Sequence, residues 1–195
     1  MKEAVLRKAA AKNDVNIITK LIGEGINIKA SSKHNVDALM LSVLSNSLDS
    51  AKILIKHGAD VNRAADTGVT SLEVAMCNNN IDMIKLLLEN GANPNIMNSN
   101  GVSLVHYAVD RHLIDILKLL IRYNADVNIV SDKFGSPLSL AIFKKDCEIV
   151  NILLDVYLQD MKYSRKDILD IAKRYNINIS KPFPSIMKDL CKLLE

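Results

Sequence analysis

The 195-residue chain predicts an all-α fold, a solenoid of stacked helix-turn-helix units joined by β-hairpin-like turns. Three observations lead there. The spelling "HGADVN" at 57–62 nearly recurs as "NGANPN" at 90–95 and "YNADVN" at 123–128. Asn62, Asn95 and Asn128 stand 33 residues apart. The same step generates a column of Ser42, Ala75, Ala108 and Ala141, and another of Leu21, Leu54, Leu87, Leu120 and Leu153. A fixed period of this length marks a stacked repeat and outranks any residue-by-residue secondary-structure assignment.

Five units and a cap follow in order, all within one domain spanning 1–195. The first, 2–30, contains "AVLRKAA" and "LIGEGINI" and places Ala9 and Gly25 in register as a degenerate N-terminal end. In the second, 31–63, the apolar run Ile53-Leu54-Ile55 leads to Gly58, which is placed to stop a helix with φ > 0. Asp60 and Asn62 then form the turn, their side chains bonding nearby backbone. The third unit, 64–96, is the clearest. Thr70 and Glu73 make a capping box at the head of a short helix through Leu72, Val74, Ala75 and Met76. Asn78-Asn79-Asn80 breaks that helix, and a second runs through Ile81, Ile84, Leu87 and Leu88, with Asp82, Lys85 and Glu89 on its wet face. The fourth unit spans 97–129. The fifth, 130–158, opens with "GSPLSLA", its glycine displaced by one residue to Gly135. After Leu154 the Gly-containing turn is replaced by "DVYLQDMKYS", so 159–195 reads as capping helices: one headed by Ser164 and one, after the Pro-stiffened "NISKPFPS", headed by Ser185. A helix pair cannot bury its own apolar face, so every unit depends on its neighbours and each end needs a cover.

These residues resemble the ankyrin repeat. The family pattern G-x-T-P-L-H-x-A, followed one helix later by L-L-x-x-G-A-D-V-N, is matched by "GVTSLEVA" with "LLENGANPN" and by "GVSLVHYA" with "LIRYNADVN". The second unit keeps only the latter half, as "LIKHGADVN". The resemblance implies that His106 is a structural histidine bonding the adjoining backbone, and that partners bind on the concave side and the turn tips. By register the tip positions include Lys33, His34, Asp66, Thr67, Ser99, Asn100, Lys133 and Phe134. The ends of the first helices contribute Leu44, Cys77, Asn78, Asp110, Arg111, Phe143 and Lys144. Phe134 falls in the column of Gly68 and Gly101, and Phe143 at a groove-facing position. Two uses fit this pair: interface anchors with Arg111 as an ion-pairing partner between them, or filling, with Phe134 folded inward and Phe143 packed on the 156–163 connection.

Other chemistry is absent from the sequence. A net charge of +3 with interleaved signs is too mild for a nucleic-acid partner. No apolar run approaches the ~20 residues of a membrane span. Cys77, Cys147 and Cys191 form no CxxC pair and read as buried or half-buried thiols in a reducing compartment. His106, Asp110 and His112 lack a fourth ligand for zinc. No phosphate loop, dinucleotide fingerprint or nucleophile elbow is present. The basic run from Lys162 to Arg174 is interspersed with aspartates and reads as a solvated face. The expectation is a monomeric, cytoplasmic, non-enzymatic interaction module without cofactor or metal, binding one or more proteins and neither nucleic acid nor membrane. Heavy use of Asn, Ile and Lys suggests an AT-rich source, and with it a bacterial or viral effector acting in a host cytoplasm. The tail "MKDLCKLLE" faintly resembles the start of a SOCS box, so the alternative is a substrate-recognition adaptor of a ubiquitin ligase.

Overall fold

A computed structural model describes residues 2–98, 100–159 and 173. The chain divides into two compact units, Met1–Ser99 and Asn100–Glu195. The first contains α1 (Lys2–Ala11), α2 (Val15–Gly23), α3 (Ala38–Leu44), α4 (Leu48–Lys56), α5 (Ser71–Cys77) and α6 (Ile81–Glu89). Described in the second are α7 (Leu104–Asp110), α8 (Ile114–Arg122), α9 (Pro137–Phe143) and α10 (Cys147–Gln159). The fold is all-α. Among the described residues no strand forms, and the hairpin-like turns carry single antiparallel bridges, Ala64 to Thr70 and Ser131 to Gly135.

In the first unit α1 lies on α3 and α3 on α5, while α2 lies on α4 and α4 on α6. First helices therefore make one layer and second helices the other. Ala9, Ser42 and Ala75 are buried along the first layer, where small side chains let helix axes approach to about 8–10 Å. Leu54 and Leu87 are fully buried in the second layer. In the second unit α7 packs on α8 and on α9, and α9 on α10, around Ala108, Leu120, Ala141 and Leu153, all fully buried. Helices of 7 to 9 residues, as α2 to α9 are, would be marginal alone. Packing holds them, at about 2 kcal/mol for each leucine taken out of water.

Side chains spell the helix starts. Asp37, Thr70, Ser103 and Ser136 share one column, and each accepts the backbone N–H three residues ahead, from Met40, Glu73, His106 and Ser139. The Thr70–Glu73 capping box is complete. Within each pair the chain reverses through a left-handed residue that is never glycine: Asn13, Asn46, Asn79, His112 and Lys145, with φ from 50° to 59°. Asparagine tolerates this region better than most residues, which fits its use at three of the five positions.

After each second helix, Gly25, Gly58, Gly91 and Asn124 take positive φ. Asn27, Asp60, Asn93 and Asp126 then each accept the N–H two residues on, closing four matching turns. Asn62 also reaches the following turn. Its Nδ2 donates to the Gly91 carbonyl at 2.8 Å and its Oδ1 accepts from the Asn93 N–H at 2.8 Å.

Two expectations need correction. Cys77 is an exposed thiol, because α5 buries Leu72, Ala75 and Met76 and the next residue is turned about 100° away. Cys147 is half-buried as expected. Ile81 is 43% exposed, and Met83 takes the buried place at the head of α6. Cys191, most of the basic run and the helices expected in 159–195 lie outside the described residues, apart from Gln159 at the end of α10 and Lys173.

Candidate functional site

In the first unit the expected tip residues Lys33, His34, Asp66 and Thr67 are all exposed. The two tips touch: the Asp66 N–H donates to the His34 carbonyl at 3.2 Å, and His34 Nδ1 stands 4.0 Å from Asp66 Oδ2. Behind them lies a polar cluster that the spacing did not reveal. Asp37 is only 2% exposed, with Arg63 Nε at 3.1 Å from its Oδ2. Arg63 Nη1 donates to Asn35 Oδ1 at 2.8 Å, and Asn35 Nδ2 donates to the Ala64 carbonyl at 2.6 Å. Burial pushes the Asp37 carboxyl above its ordinary range, opposed by the Met40 N–H and the Arg63 charge. This cluster fastens one turn to the next. Asp37 shares the column of Thr70 but was not singled out in the sequence, and nothing in the column of Arg63, Ile96 and Ile129 announced its partner.

At the ends of α3 and α5, Leu44 is 58% exposed and Cys77 lies open beside Asn78. The Asn78 amide is engaged. It donates to the Val43 carbonyl at 3.3 Å, to the Leu44 carbonyl at 3.5 Å and to Asn46 Oδ1 at 3.2 Å. It hooks one helix end onto the one before.

The second unit gathers the expected residues more closely. Ser99 lies outside the described residues, and Asn100 is exposed. Asp110, Lys133, Phe134, Phe143 and Lys144 line one cleft of about 570 Å³, together with Ser139 and Leu140. That volume falls in the range of clefts that hold a small ligand. The cleft lies between the tip at 133–134, the end of α7 and one side of α9. Ser139 and Leu140 escaped the sequence argument, because the register pointed at helix ends and tips and not at the turn of α9 between them.

The two phenylalanines diverge. Phe134 is half-buried and stacks on His106, with ring centroids 6.3 Å apart and an interplanar angle of 28°. It is not a free tip side chain. With the left-handed backbone moved to Gly135, φ 69°, position 134 is free to carry a ring that covers the histidine. Lys133 Nζ lies 4.9 Å from the centroid of that ring. Phe143 is 82% exposed. Lys144 Nζ donates to Asp110 Oδ1 at 2.7 Å and also to the Asp110 carbonyl. Its place in the repeat is that of Asn78, and it ties back to a helix end in the same way. Arg111 Nε is 3.9 Å from Asp110 Oδ2, and its guanidinium lies 5.8 Å from the Tyr107 ring centroid.

His106 beneath the cleft is fully buried. Its Nε2 stands 2.8 Å from the Gly135 carbonyl oxygen and its Nδ1 2.9 Å from Ser103 Oγ. A proton on Nε2 satisfies the carbonyl and leaves Nδ1 to accept from the serine. Burial holds the imidazole below its ordinary pKa, with the Gly135 carbonyl opposing. It therefore serves as a backbone tie, in keeping with the structural role that the family resemblance implied. His112 pairs with Asp146. Among the described residues no cluster of His, Cys, Asp or Glu could hold a metal ion, and no helix is long and apolar enough to cross a membrane.

The family model described as ankyrin repeats (three copies) matches residues 6–98 and 90–167. The chain belongs to the ankyrin repeat family, whose fold is generally a non-enzymatic module for protein interaction. Among solved structures, the crystal structure of the human ASB11 ankyrin repeat domain matches with a TM-score of 0.63 at 28% identity. The match covers 77% of this chain and 68% of that one. No curated protein matches.

Proposed function

We propose that this chain captures a partner protein on exposed turn tips and first-helix ends, with the Phe143 cleft of the second unit as its principal contact. The supporting observation is the state of Phe143: a large apolar side chain, 82% exposed, at the mouth of a cleft whose surroundings are internally tied. An aromatic left in water on a preformed surface gains most when a partner covers it, and a rigid surface loses little entropy in the process. In the first unit Leu44, exposed beside Cys77 at the ends of α3 and α5, supports a secondary contact.

As a monomeric single domain working in a cytoplasm, such a module needs no cofactor. The Asn-, Ile- and Lys-rich composition supports its use as a bacterial or viral effector directed at host proteins.

Affinity purification from cell lysate tests this reading, run in parallel with wild type and the Phe143→Ala/Arg111→Ala double variant. The expected result is a partner retained by wild type and depleted with the variant, each substitution weakening the complex by more than about 1 kcal/mol at an unchanged thermal midpoint. Undiminished capture by the variant would remove the cleft from the interface. A ubiquitin-ligase adaptor would instead retain cullin components and lose them on deletion of 181–195.

A further inference from the structure

The cleft specifies the chemistry of what enters it, an inference that rests on the interaction reading above. Its apolar part is Leu140, only 5% exposed, the half-buried ring of Phe134 and the open ring of Phe143. Its charged part is unbalanced. Lys133 and Lys144 line it and Arg111 adjoins it, against a single lining carboxylate, Asp110. That carboxylate is already shared between Lys144 at 2.7 Å and Arg111 at 3.9 Å. Next along the chain, exposed Asp132 and Lys145 offset one another and leave the excess positive.

We infer that the Phe143 cleft accepts an acidic peptide segment carrying one large apolar residue. The apolar residue packs between Phe143 and Leu140, and flanking Asp or Glu side chains meet Lys133 and Arg111. The Lys144–Asp110 tie holds the rim in place before binding, so little ordering is left to the moment of capture. A basic segment would face three cations with the one carboxylate already engaged. A wholly polar acidic segment would leave Phe143 in water.

Panning a random twelve-residue peptide display library on the immobilised full chain tests this, with enriched peptides resynthesised and their binding measured by fluorescence anisotropy. Enriched sequences should combine Asp or Glu with one Phe, Leu, Ile or Trp. Their binding should weaken at least about fivefold with Phe143→Ala and with Lys133→Glu, and should fall as salt rises. Circular dichroism melts of both variants matching wild type keep the loss assignable to the surface. Enriched peptides that bind both variants as well as wild type overturn the inference while leaving an interaction module that works elsewhere. Enrichment of basic or uncharged sequences overturns it even where Phe143 matters. No enrichment over an empty support overturns it too, and the lysate experiment then decides the broader reading by itself.

Discussion

His106 Nε2 donates across to the carbonyl of Gly135 at 2.8 Å, joining the first turn of α7 to the turn that precedes α9. Losing that bond leaves the Gly135 carbonyl with the Ser131 N–H at 2.9 Å as its remaining partner, and it takes from the buried Ser103 hydroxyl its contact with the imidazole. His106→Ala should destabilise the fold by about 3 kcal/mol, from the lost bonds together with the cavity beneath Phe134. Urea unfolding checks this; a loss under about 1 kcal/mol would show that the tie is dispensable.

The same residue sets an acid sensitivity. Burial lowers the folded-state pKa of His106 from its ordinary 6.5. Between the two values the unfolded chain binds more protons than the folded one, so stability rises with pH there. The contribution is fully present above the unfolded value, and acidification removes it until the folded value is passed. Urea midpoints at about pH 7.5 and about pH 5.5 should therefore differ more for wild type than for His106→Gln. Equal shifts would assign the acid sensitivity to other groups.

Gly135 answers to two constraints at once. Its φ is 69°, and a Cβ built there would stand 2.7 Å from Ser139 Oγ. Gly135→Ala should cost about 1–2 kcal/mol. Lys145, at φ 59° and exposed, has the opposite outlook: Lys145→Gly relieves a left-handed L-residue and should be neutral or stabilising by a few tenths of a kcal/mol. Thermal midpoints of the two variants moving the same way would contradict the backbone argument.

Asn62 and Asn128 occupy one column with unequal work. Asn62 binds Gly91 and Asn93 in the next turn, whereas Oδ1 of Asn128 is buried and has no hydrogen-bond partner among the described residues. Asn62→Ala should cost about 1 kcal/mol and Asn128→Ala clearly less, measured by chemical denaturation. The opposite ranking would mean the side-chain link between turns contributes little.

Phe143 makes a prediction by omission. At 82% exposure it contributes little to the core, so Phe143→Ala should change folding stability by under about 0.5 kcal/mol. A larger loss would assign the ring to packing and withdraw it from the proposed interface.

The order of helices, their caps and their stops were written in the chain, because they rest on local chemistry repeated at a fixed interval. Thr70 with Glu73, Gly58 after Ile55, and Asp60 ahead of Asn62 each act within a few residues of themselves. The burial of the alanine and leucine columns followed from the same periodicity. What spacing could not reach was the use of side chains across the step from one repeat to the next. Asp37 with Arg63, Asn78 on the Leu44 carbonyl, Lys144 on Asp110 and Phe134 over His106 join residues 26 to 34 positions apart. Register names who stands near whom, but whether a ring turns inward or stays in water depends on the space its neighbours leave. That packing filled the place above His106 with Phe134 and left Phe143 uncovered, and only folding in three dimensions could decide it.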